Sequence, residues 1–355
     1  MSPDQLADSE LRDRVAAQLN ELLSGQLAGN GTRATAWLAR HMAGGQPTAE
    51  RTRVWRNIED RYRARQPQVT REGRAALLTA GAPGAGKSTA VDQLGVVDDG
   101  WRRLDADVVK DYLVEELAAA GAVDDVLAVE LVDGRPVMPR ELAGLVHIES
   151  VAIVELMRDR CLRDGENVVI EGTLAWEPAA HRLLGELARA AYREVSIVDV
   201  EVPRELARAR AVERWWAGRC DPGSGLGGRW MPLSVIDRVY PDPGERHSVC
   251  AANARALFDS DVARGLPIAR LTVVDSTGPV PGDRDPRAAL RSAATAARAA
   301  AVGAGHGCAE DGGAAGAAVL PARHLLLDAG LVTDSAATSS APPPAECQLV
   351  GHQHP

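Results

Sequence analysis

Gly81-Ala82-Pro83-Gly84-Ala85-Gly86-Lys87-Ser88 is the stretch that decides the fold. It fits the pattern G-x-x-x-x-G-K-[ST] at every fixed position, and the apolar segment Ala75–Ala80 precedes it. Glycines in such a loop let backbone N–H groups close around a phosphate, and the following helix points its N-terminus at the anion. The alternative is a Gly-rich turn that merely ends a strand, but spacing and context favour a phosphate-binding loop.

The loop residues have distinct expected roles. Lys87 is expected to reach the β- and γ-phosphates of a nucleotide and to act in catalysis, and the Ser88 hydroxyl to coordinate Mg²⁺. The loop alone does not distinguish a kinase from a GTPase or a motor ATPase. We expect nucleotide contacts from Gly81, Ala82, Pro83, Gly84, Ala85, Gly86, Lys87, Ser88 and Thr89. The histidines and the five cysteines form no HExxH or CxxC set, so no metal beyond nucleotide-bound Mg²⁺ is expected.

On both sides of the loop, short β-rich runs alternate with helical stretches. The predicted strands are Ala75–Ala80, Trp101–Asp105, Asn167–Glu171, Val195–Val202 and Ile268–Val274. The predicted helices are Ser88–Leu94, Asp107–Ala120, Arg140–Arg163, Pro178–Ala191 and Pro203–Ala217. This alternation indicates an α/β fold with a mostly parallel sheet covered by helices on both faces.

The two ends of the chain differ in composition from this middle part. Residues 1–74 carry apolar side chains at helical spacing, which predicts a helical N-terminal extension. Residues 277–355 contain runs such as AATAARAAAVGAGHG that cannot bury enough apolar surface, so a largely disordered tail is expected, with Val319–Val332 as an apolar island. The sequence therefore predicts three regions, with a kinase-like domain over 75–276.

Composition and charge exclude several classes of function. The chain of 355 residues has a net charge of -9, which makes it a poor candidate for binding nucleic acid or an anionic membrane. It contains no run of about 20 apolar residues, so no membrane span is expected. The N-terminus MSPDQLADSELRDR is polar, unlike a secretory signal, and the scattered cysteines fit a reducing compartment. A cytoplasmic protein is therefore the expectation.

Acidic and hydroxyl side chains follow the second and third predicted strands. Leu104-Asp105-Ala106-Asp107 places two carboxylates at the sheet edge where open α/β sheets bind ligands. A kinase that acts on a hydroxyl needs a carboxylate to accept its proton, and either Asp107 or Asp105 could do this. Helix N-capping is the alternative role for each of them. At the end of the next strand, Glu171 could hold Mg²⁺ through water, and Thr173 could contact substrate.

An arginine-rich segment follows the fourth predicted strand. Arg208, Arg214 and Arg219 lie on or just after a predicted helix, and Gly227-Gly228-Arg229 comes next. The Gly-rich chain between them can move, and a mobile lid that carries arginines neutralises charge during phosphoryl transfer. We assign Arg214 and Arg229 to catalysis, and Arg208 and Arg219 to a solvated basic face.

Taken in order, these motifs resemble those of the zeta toxin family of bacterial kinases. The motifs are GAPGAGKST, LDADVVK, NVVIEGTL and an Arg-rich lid that ends in GGRWMP. The resemblance covers residues 75–276 and implies an ATP-dependent phosphotransferase. It also implies that the substrate is the small molecule UDP-N-acetylglucosamine, phosphorylated at the 3′-hydroxyl of its sugar, and that the partner is an antitoxin protein.

The resemblance also implies roles for individual residues. The positions that match the functional residues of the family are Lys87, Ser88, Asp107, Glu171, Thr173, Arg214 and Arg229. Asp107 matches the acid that acts as catalytic base, and Asp105 is grouped with the expected substrate contacts. An acid on the helix before Glu171 contacts substrate in the family, and both Glu149 and Glu155 are candidates for that place.

Two departures from the family concern the acceptor substrate more than the kinase chemistry. Ala175, followed by Trp176, stands where well-studied members carry an arginine, and Asp124–Arg140 contains an insertion. Two other functions therefore remain open. One is a detoxifying or housekeeping small-molecule kinase, similar to antibiotic phosphotransferases. The other is a nucleotide-binding switch with little catalysis.

Overall fold

A computed structural model of the chain describes residues 3–241 and 247–275. The predicted disordered tail from residue 277, with its apolar island Val319–Val332, lies outside these residues. Within the described part of the chain, no helix is long and apolar enough to cross a bilayer.

The described chain is a succession of helices and short strands. The α-helices are α1 (Pro3–Leu22), α2 (Thr32–His41), α3 (Ala49–Ala64), α4 (Lys87–Leu94), α5 (Ala106–Ala119), α6 (Asp124–Leu127), α7 (His147–Asp164), α8 (Glu177–Arg189), α9 (Arg204–Cys220), α10 (Leu233–Asp237), α11 (Val249–Phe258) and α12 (Asp261–Arg264). The strands are β1 (Met42–Ala43), β2 (Gln46–Pro47), β3 (Ala75–Ala80), β4 (Trp101–Leu104), β5 (Asn167–Ile170), β6 (Glu194–Glu201) and β7 (Ile268–Asp275). The 3₁₀ helices are Gly25–Leu27 and Pro139–Val146.

Five of the strands form one parallel sheet, in the order β4-β5-β3-β6-β7. The phosphate-loop strand β3 lies at its centre, with Leu78 opposite Ile170 of β5 and Ala80 opposite Asp199 of β6. The predicted α/β fold with a parallel sheet is confirmed. Because the chain leaves β3 toward one edge and returns past it toward the other, the ligand crevice is expected at the carboxyl ends of these central strands.

Both faces of the sheet are covered, which explains why its strands read as continuous apolar runs. Leu78 and Ile170 point into a cluster that includes side chains of α5, α7 and α8. Leu77 and Val169, on the opposite face, pack with α4. Successive strand residues therefore enter different cores, as a two-residue period requires.

The N-terminal helices pack on the same core as the sheet. Val15 and Leu19 of α1 belong to the buried cluster that contains Leu78. Trp55 of α3 donates a hydrogen bond from Nε1 to Glu149 of α7 at 2.6 Å. Residues 1–74 thus support the helices on which the α/β region is built, and the division at residue 74 stays a prediction.

The predicted helix Arg140–Arg163 is wrong in its first part. Pro139–Val146 is a 3₁₀ helix, and the α-helix begins only at His147. Glu141 accepts a hydrogen bond from the Met138 backbone N–H at 2.8 Å, which fixes a tight start that the proline ring favours. The buried contacts of the Glu141 carboxylate, described below, then hold this segment away from a regular helix.

Candidate active site

The predicted phosphate loop connects β3 to the first turn of α4. Gly81, Gly84 and Gly86 adopt positive φ values of 121°, 84° and 92°. A Cβ on Gly81 would lie 2.2 Å from the Val200 carbonyl oxygen, and one on Gly84 would lie 2.2 Å from the corresponding atom of Ala207. The loop therefore packs so closely on β6 and α9 that these positions require glycine.

Lys87, the first residue of α4, folds back into the loop. Its Nζ donates hydrogen bonds to the carbonyl oxygens of Gly81 and Ala82 at 2.9 and 3.0 Å. Desolvation by the surrounding protein lowers the pKa of Lys87 below its ordinary value. The loop thus holds a cation at the N-terminus of a helix, which is an arrangement that attracts a phosphate.

Ser88 and Glu171 bring two oxygen ligands together beside the loop. The Ser88 hydroxyl donates to Glu171 Oε2 at 2.8 Å, because β5 ends next to β3 in the parallel sheet. Hydroxyl and carboxylate oxygens are ligands that Mg²⁺ accepts while it keeps water and phosphate oxygens as further ligands. No group of three or more His, Cys, Asp or Glu suited to a metal occurs among the described residues. These donors therefore fit a nucleotide-bound Mg²⁺.

Asp105 and Asp107 differ in their surroundings. Asp105 caps α5, since its Oδ1 accepts a hydrogen bond from the Asp107 backbone N–H at 2.8 Å. Burial, together with the negative charge of Asp107, raises the pKa of Asp105 to about 6. Tyr62 of α3 fixes the same turn, because its hydroxyl accepts from the Asp105 backbone N–H at 2.8 Å. Asp105 thus has the capping role.

Asp107 is surrounded by cations instead. Its Oδ1 lies 2.9 Å from Lys110 Nζ and 2.9 Å from Arg229 Nη1. Burial acts to raise the pKa of Asp107, but these two charges outweigh it and hold the pKa well below its usual range. An ionised, partly exposed carboxylate near the phosphate loop is suited to accept a proton from a hydroxyl.

The two predicted lid arginines are held in different ways. Arg229 makes ion pairs with Asp107 and with Asp111, one helical turn further along α5. Arg214 lies exposed on α9, and its charge acts on Lys87 and Asp107. Its guanidinium makes no hydrogen bond or ion pair to any residue in 8–241 or 247–274, so it is available to an anion.

Thr173 supports the phosphate loop through its backbone. Its carbonyl oxygen accepts a hydrogen bond from the Gly81 N–H at 3.1 Å, and its Oγ1 accepts from the Ala175 N–H at 3.2 Å. The next residue, Leu174, has φ of 54°, and Asn253 Nδ2 donates to its carbonyl oxygen at 2.8 Å. The loop after β5 is therefore fixed in a conformation that a leucine rarely adopts.

The expectation of a solvated basic face is wrong for Arg219. Its side chain is fully buried and forms ion pairs with Asp133 and Glu141, both at 2.8 Å. Arg208 is partly exposed and pairs with Asp237 at 2.5 Å. Two arginines of one helix thus have structural partners that their spacing alone did not reveal.

Neither candidate glutamate of α7 contacts the residues around Asp107. Glu149 is buried and accepts hydrogen bonds from Arg51 and Trp55 of α3. Glu155 faces Arg158, at 3.9 Å, and the charge of Arg182. Both carboxylates are thus engaged elsewhere in the fold.

Sequence reasoning missed two residues that the fold brings to Asp107. Asp111 lies four residues after Asp107, so helical spacing could have identified it. His147 is the first residue of α7, and its side chain is exposed. The surrounding protein and the Lys110 charge lower its pKa to about 4, so the imidazole is neutral at pH 7. No local motif marks His147, because its position depends on the 3₁₀ segment before it.

Comparison with known proteins gives relatives for parts of the chain. Calmodulin calcium-dependent NAD kinase of Arabidopsis thaliana is 29% identical over 127 residues, which are 33% of this chain and 21% of that protein. This chain therefore spans about a fifth of the length of that curated relative.

Two solved structures are similar to parts of the chain at low identity. One comes from the PezAT chromosomal toxin–antitoxin system of Streptococcus pneumoniae, with 17% identity and a TM-score of 0.35 over 49% of this chain and 65% of that one. The other is AvrRxo1-ORF1:-ORF2 with ATP, with 16% identity and a TM-score of 0.36 over 56% of this chain and 61% of that one.

A family model for the zeta toxin matches residues 59–263, which is more than half of the chain. The match begins in α3, sixteen residues before the region 75–276 in which the motifs occur. It includes Lys87, the Asp105–Asp107 turn, Glu171 and Arg229. The chain therefore belongs to the zeta toxin family.

Proposed function

We propose that the chain transfers the γ-phosphate of ATP to a sugar hydroxyl of a nucleotide sugar, and that UDP-N-acetylglucosamine is the acceptor. One observation supports this proposal above the others. The ionised Asp107 lies at the same sheet edge as the Lys87 loop and the Ser88–Glu171 pair, with Arg229 at 2.9 Å. A protein that only binds nucleotide needs no such base.

Each of these residues has a definite task in the proposed reaction. The backbone N–H groups of the loop and Lys87 bind the phosphates, and Arg214 and Arg229 offset the charge that develops during transfer. Ser88 would hold Mg²⁺ directly and Glu171 through water, and the ion would neutralise phosphate charge. Asp107 orients the acceptor hydroxyl and accepts its proton as the phosphoryl group moves.

A second acceptor, NAD, has one specific observation in its favour. The Arabidopsis relative with 29% identity over 127 residues is a NAD kinase. NAD and UDP-N-acetylglucosamine both carry sugar hydroxyls beside a diphosphate, so the same cations could bind either. The acceptor is therefore best identified by direct competition between the two.

The test is mass spectrometry of products after incubation with Mg²⁺-ATP and UDP-N-acetylglucosamine, NAD or a bacterial cell extract. We expect UDP-N-acetylglucosamine to gain the mass of one phosphoryl group with the wild type and not with Asp107→Asn. Asp125→Asn, which changes an exposed carboxylate paired with Arg33, is the matched control and should retain activity. Phosphorylated NAD alone would overturn the proposed acceptor, and bound ATP without any new product would overturn the kinase proposal.

We also propose that the activity is toxic and that an antitoxin protein binds the chain. Membership of the zeta toxin family supports this proposal. Induced expression should stop bacterial growth for the wild type but not for Asp107→Asn at equal protein level. Equal, unimpaired growth in both cultures would refute toxicity and favour the detoxifying or housekeeping kinase.

A further inference from the structure

We propose that Asp111 and Arg140 are positioning residues that hold Arg229 beside the base Asp107. This inference rests on the proposed function, because it assigns the means by which Arg229 is delivered to the phosphoryl group. It concerns a chain of charged side chains that links α5, the 3₁₀ helix Pro139–Val146 and the loop after α9.

The guanidinium of Arg229 contacts two carboxylates of α5. Nη2 donates a hydrogen bond to Asp111 Oδ1 at 2.5 Å, and Nη1 lies 2.9 Å from Asp107 Oδ1. The Asp107 contact is an ion pair without hydrogen-bond geometry, and Nη1 is a buried nitrogen with no hydrogen-bond partner among the described residues. A buried donor of this kind needs an explanation. We assign it to the incoming phosphate.

Arg140 fixes the carboxylate that holds Arg229. Its Nε and Nη2 donate to the two Asp111 oxygens, both at 3.0 Å, in the bidentate geometry that orients a carboxylate best. Asp111 Oδ1 therefore accepts from Arg140 and Arg229 together. This pairing leaves Asp111 fully engaged, so the carboxylate cannot turn away without breaking two charged contacts.

Arg140 also ties down the backbone that leads to Arg229. Its N–H donates to the Leu226 carbonyl oxygen at 2.9 Å, and its Nη1 lies 3.3 Å from the Gly227 carbonyl oxygen. Gly227 has φ of 76° and packs on Met138, where a Cβ would lie 2.5 Å from the sulfur. One arginine thus positions both the side chain and the main chain of the Arg229 loop.

This arrangement lets Arg229 exchange one partner while it keeps the other. A phosphoryl group can take the free Nη1 donor from its place beside Asp107, and Nη2 remains on Asp111. Asp107 stays paired with Lys110 at 2.9 Å, so it remains ionised when Arg229 turns to the phosphate. Asp107 then no longer faces the Arg229 charge and can accept the hydroxyl proton.

The first test measures nucleotide affinity, which needs no acceptor. Calorimetry with non-hydrolysable ATP and with ADP gives the preference for a γ-phosphate, which Arg229 should supply. We expect Asp111→Asn and Arg140→Ala to reduce this preference to the level of Arg229→Ala. Arg33→Ala, which breaks an equally bidentate but exposed pair with Asp125, should leave it unchanged. Arg140 variants that keep the wild-type preference would overturn the proposal.

The second test is a double-mutant cycle on turnover with the acceptor identified above. Loss of Asp111 or Arg140 should lower kcat by about 10²-fold, the effect of misplacing a reacting group by about 1 Å. Arg140→Ala should add nothing to Arg229→Ala, because it acts through that residue. Losses in kcat that add up in the double mutant would overturn the proposal. Full activity of Arg140→Lys would also overturn it, because lysine keeps the charge but cannot make the bidentate contact.

The two proposals fail in distinguishable ways. If wild-type protein binds no ATP in the calorimeter, the proposed function fails. If the wild type prefers non-hydrolysable ATP to ADP, and Arg140→Ala keeps this preference as Arg33→Ala does, only the positioning role fails. Asp111→Asn keeps the side-chain volume, so a folded variant is expected even if Arg140→Ala proves unstable.

Discussion

Arg219→Met should strongly destabilise the fold. The substitution keeps an unbranched stem in the core and removes only the guanidinium. That group is inaccessible to solvent and hydrogen-bonds to Asp133 Oδ1 and Oδ2 and to both oxygens of Glu141, at 2.8 to 2.9 Å. Its loss would leave two buried carboxylates without their ion-pair partner.

The expected magnitude follows from that geometry. Removing one partner of a buried ion pair costs about 3–5 kcal/mol, because the other charge stays buried and unpaired. In a protein of this size, 1 kcal/mol corresponds to roughly 2–4 °C in Tm, so Tm should fall by roughly 6–20 °C. Arg208→Met is the matched control on the same helix. Its pair with Asp237 is partly exposed, so it should cost no more than about 1 kcal/mol.

The cost should also depend on pH in a predictable direction. Burial already raises the pKa of Glu141, and loss of Arg219 should raise it further. An acid whose pKa is higher in the folded state destabilises that state as pH rises above its unfolded pKa. The Tm difference between variant and wild type, measured by circular dichroism, should therefore be larger at pH 7 than at pH 5. A Tm difference below about 2 °C at pH 7 would refute this reasoning, because a destabilisation of only about 1 kcal/mol already produces that much. A Tm difference that grows as the pH is lowered would refute it as well.

Three further predictions concern the site itself. Lys87→Ala should lower ATP turnover by orders of magnitude with little change in Tm, because both hydrogen bonds of its side chain go to the loop itself; half of the wild-type rate would contradict its role. Asp107→Asn should bind ATP normally but lose transfer by roughly 10²–10⁴ in single-turnover assays, whereas an equal loss in Asp105→Asn would mean that the base is misassigned. Asp105→Asn keeps the helix cap and removes an acid whose raised pKa of about 6 destabilises the fold above that pH. Its urea midpoint should therefore exceed the wild-type value above pH 6 and converge with it near pH 4.

The fold was predictable because its main determinants are local in the sequence. The strand Ala75–Ala80, the glycines of the loop and the Lys87 helix follow each other without interruption, and each has a pattern of its own. The run Val168–Ile170 is apolar on consecutive residues, which indicated a strand covered on both faces. The acids at the ends of these strands could therefore be placed at one edge before their contacts were known.

The roles of the arginines were not predictable, because they depend on distant partners. Arg214 and Arg219 lie on one helix and differ little in local sequence. Arg219 can be buried because it forms ion pairs with Asp133 and Glu141. Asp133 lies in the insertion, and Glu141 is the residue that follows it. The start of α7 at His147 depends on that same part of the chain, which has no periodic pattern to reveal its course.

The segment 133–141 contacts both the end of helix α9 and the loop that carries Arg229. Its two carboxylates neutralise Arg219 at the end of α9, and its Arg140 fixes Asp111 and the loop that carries Arg229. The same segment leads into the 3₁₀ helix that places His147 near Asp107. A change in this segment that alters the choice of acceptor should therefore also change how Arg229 meets the phosphate. If Arg229 and the acceptor act as proposed, acceptor specificity and transition-state stabilisation should be coupled, because one segment contacts the elements that carry Arg229 and His147.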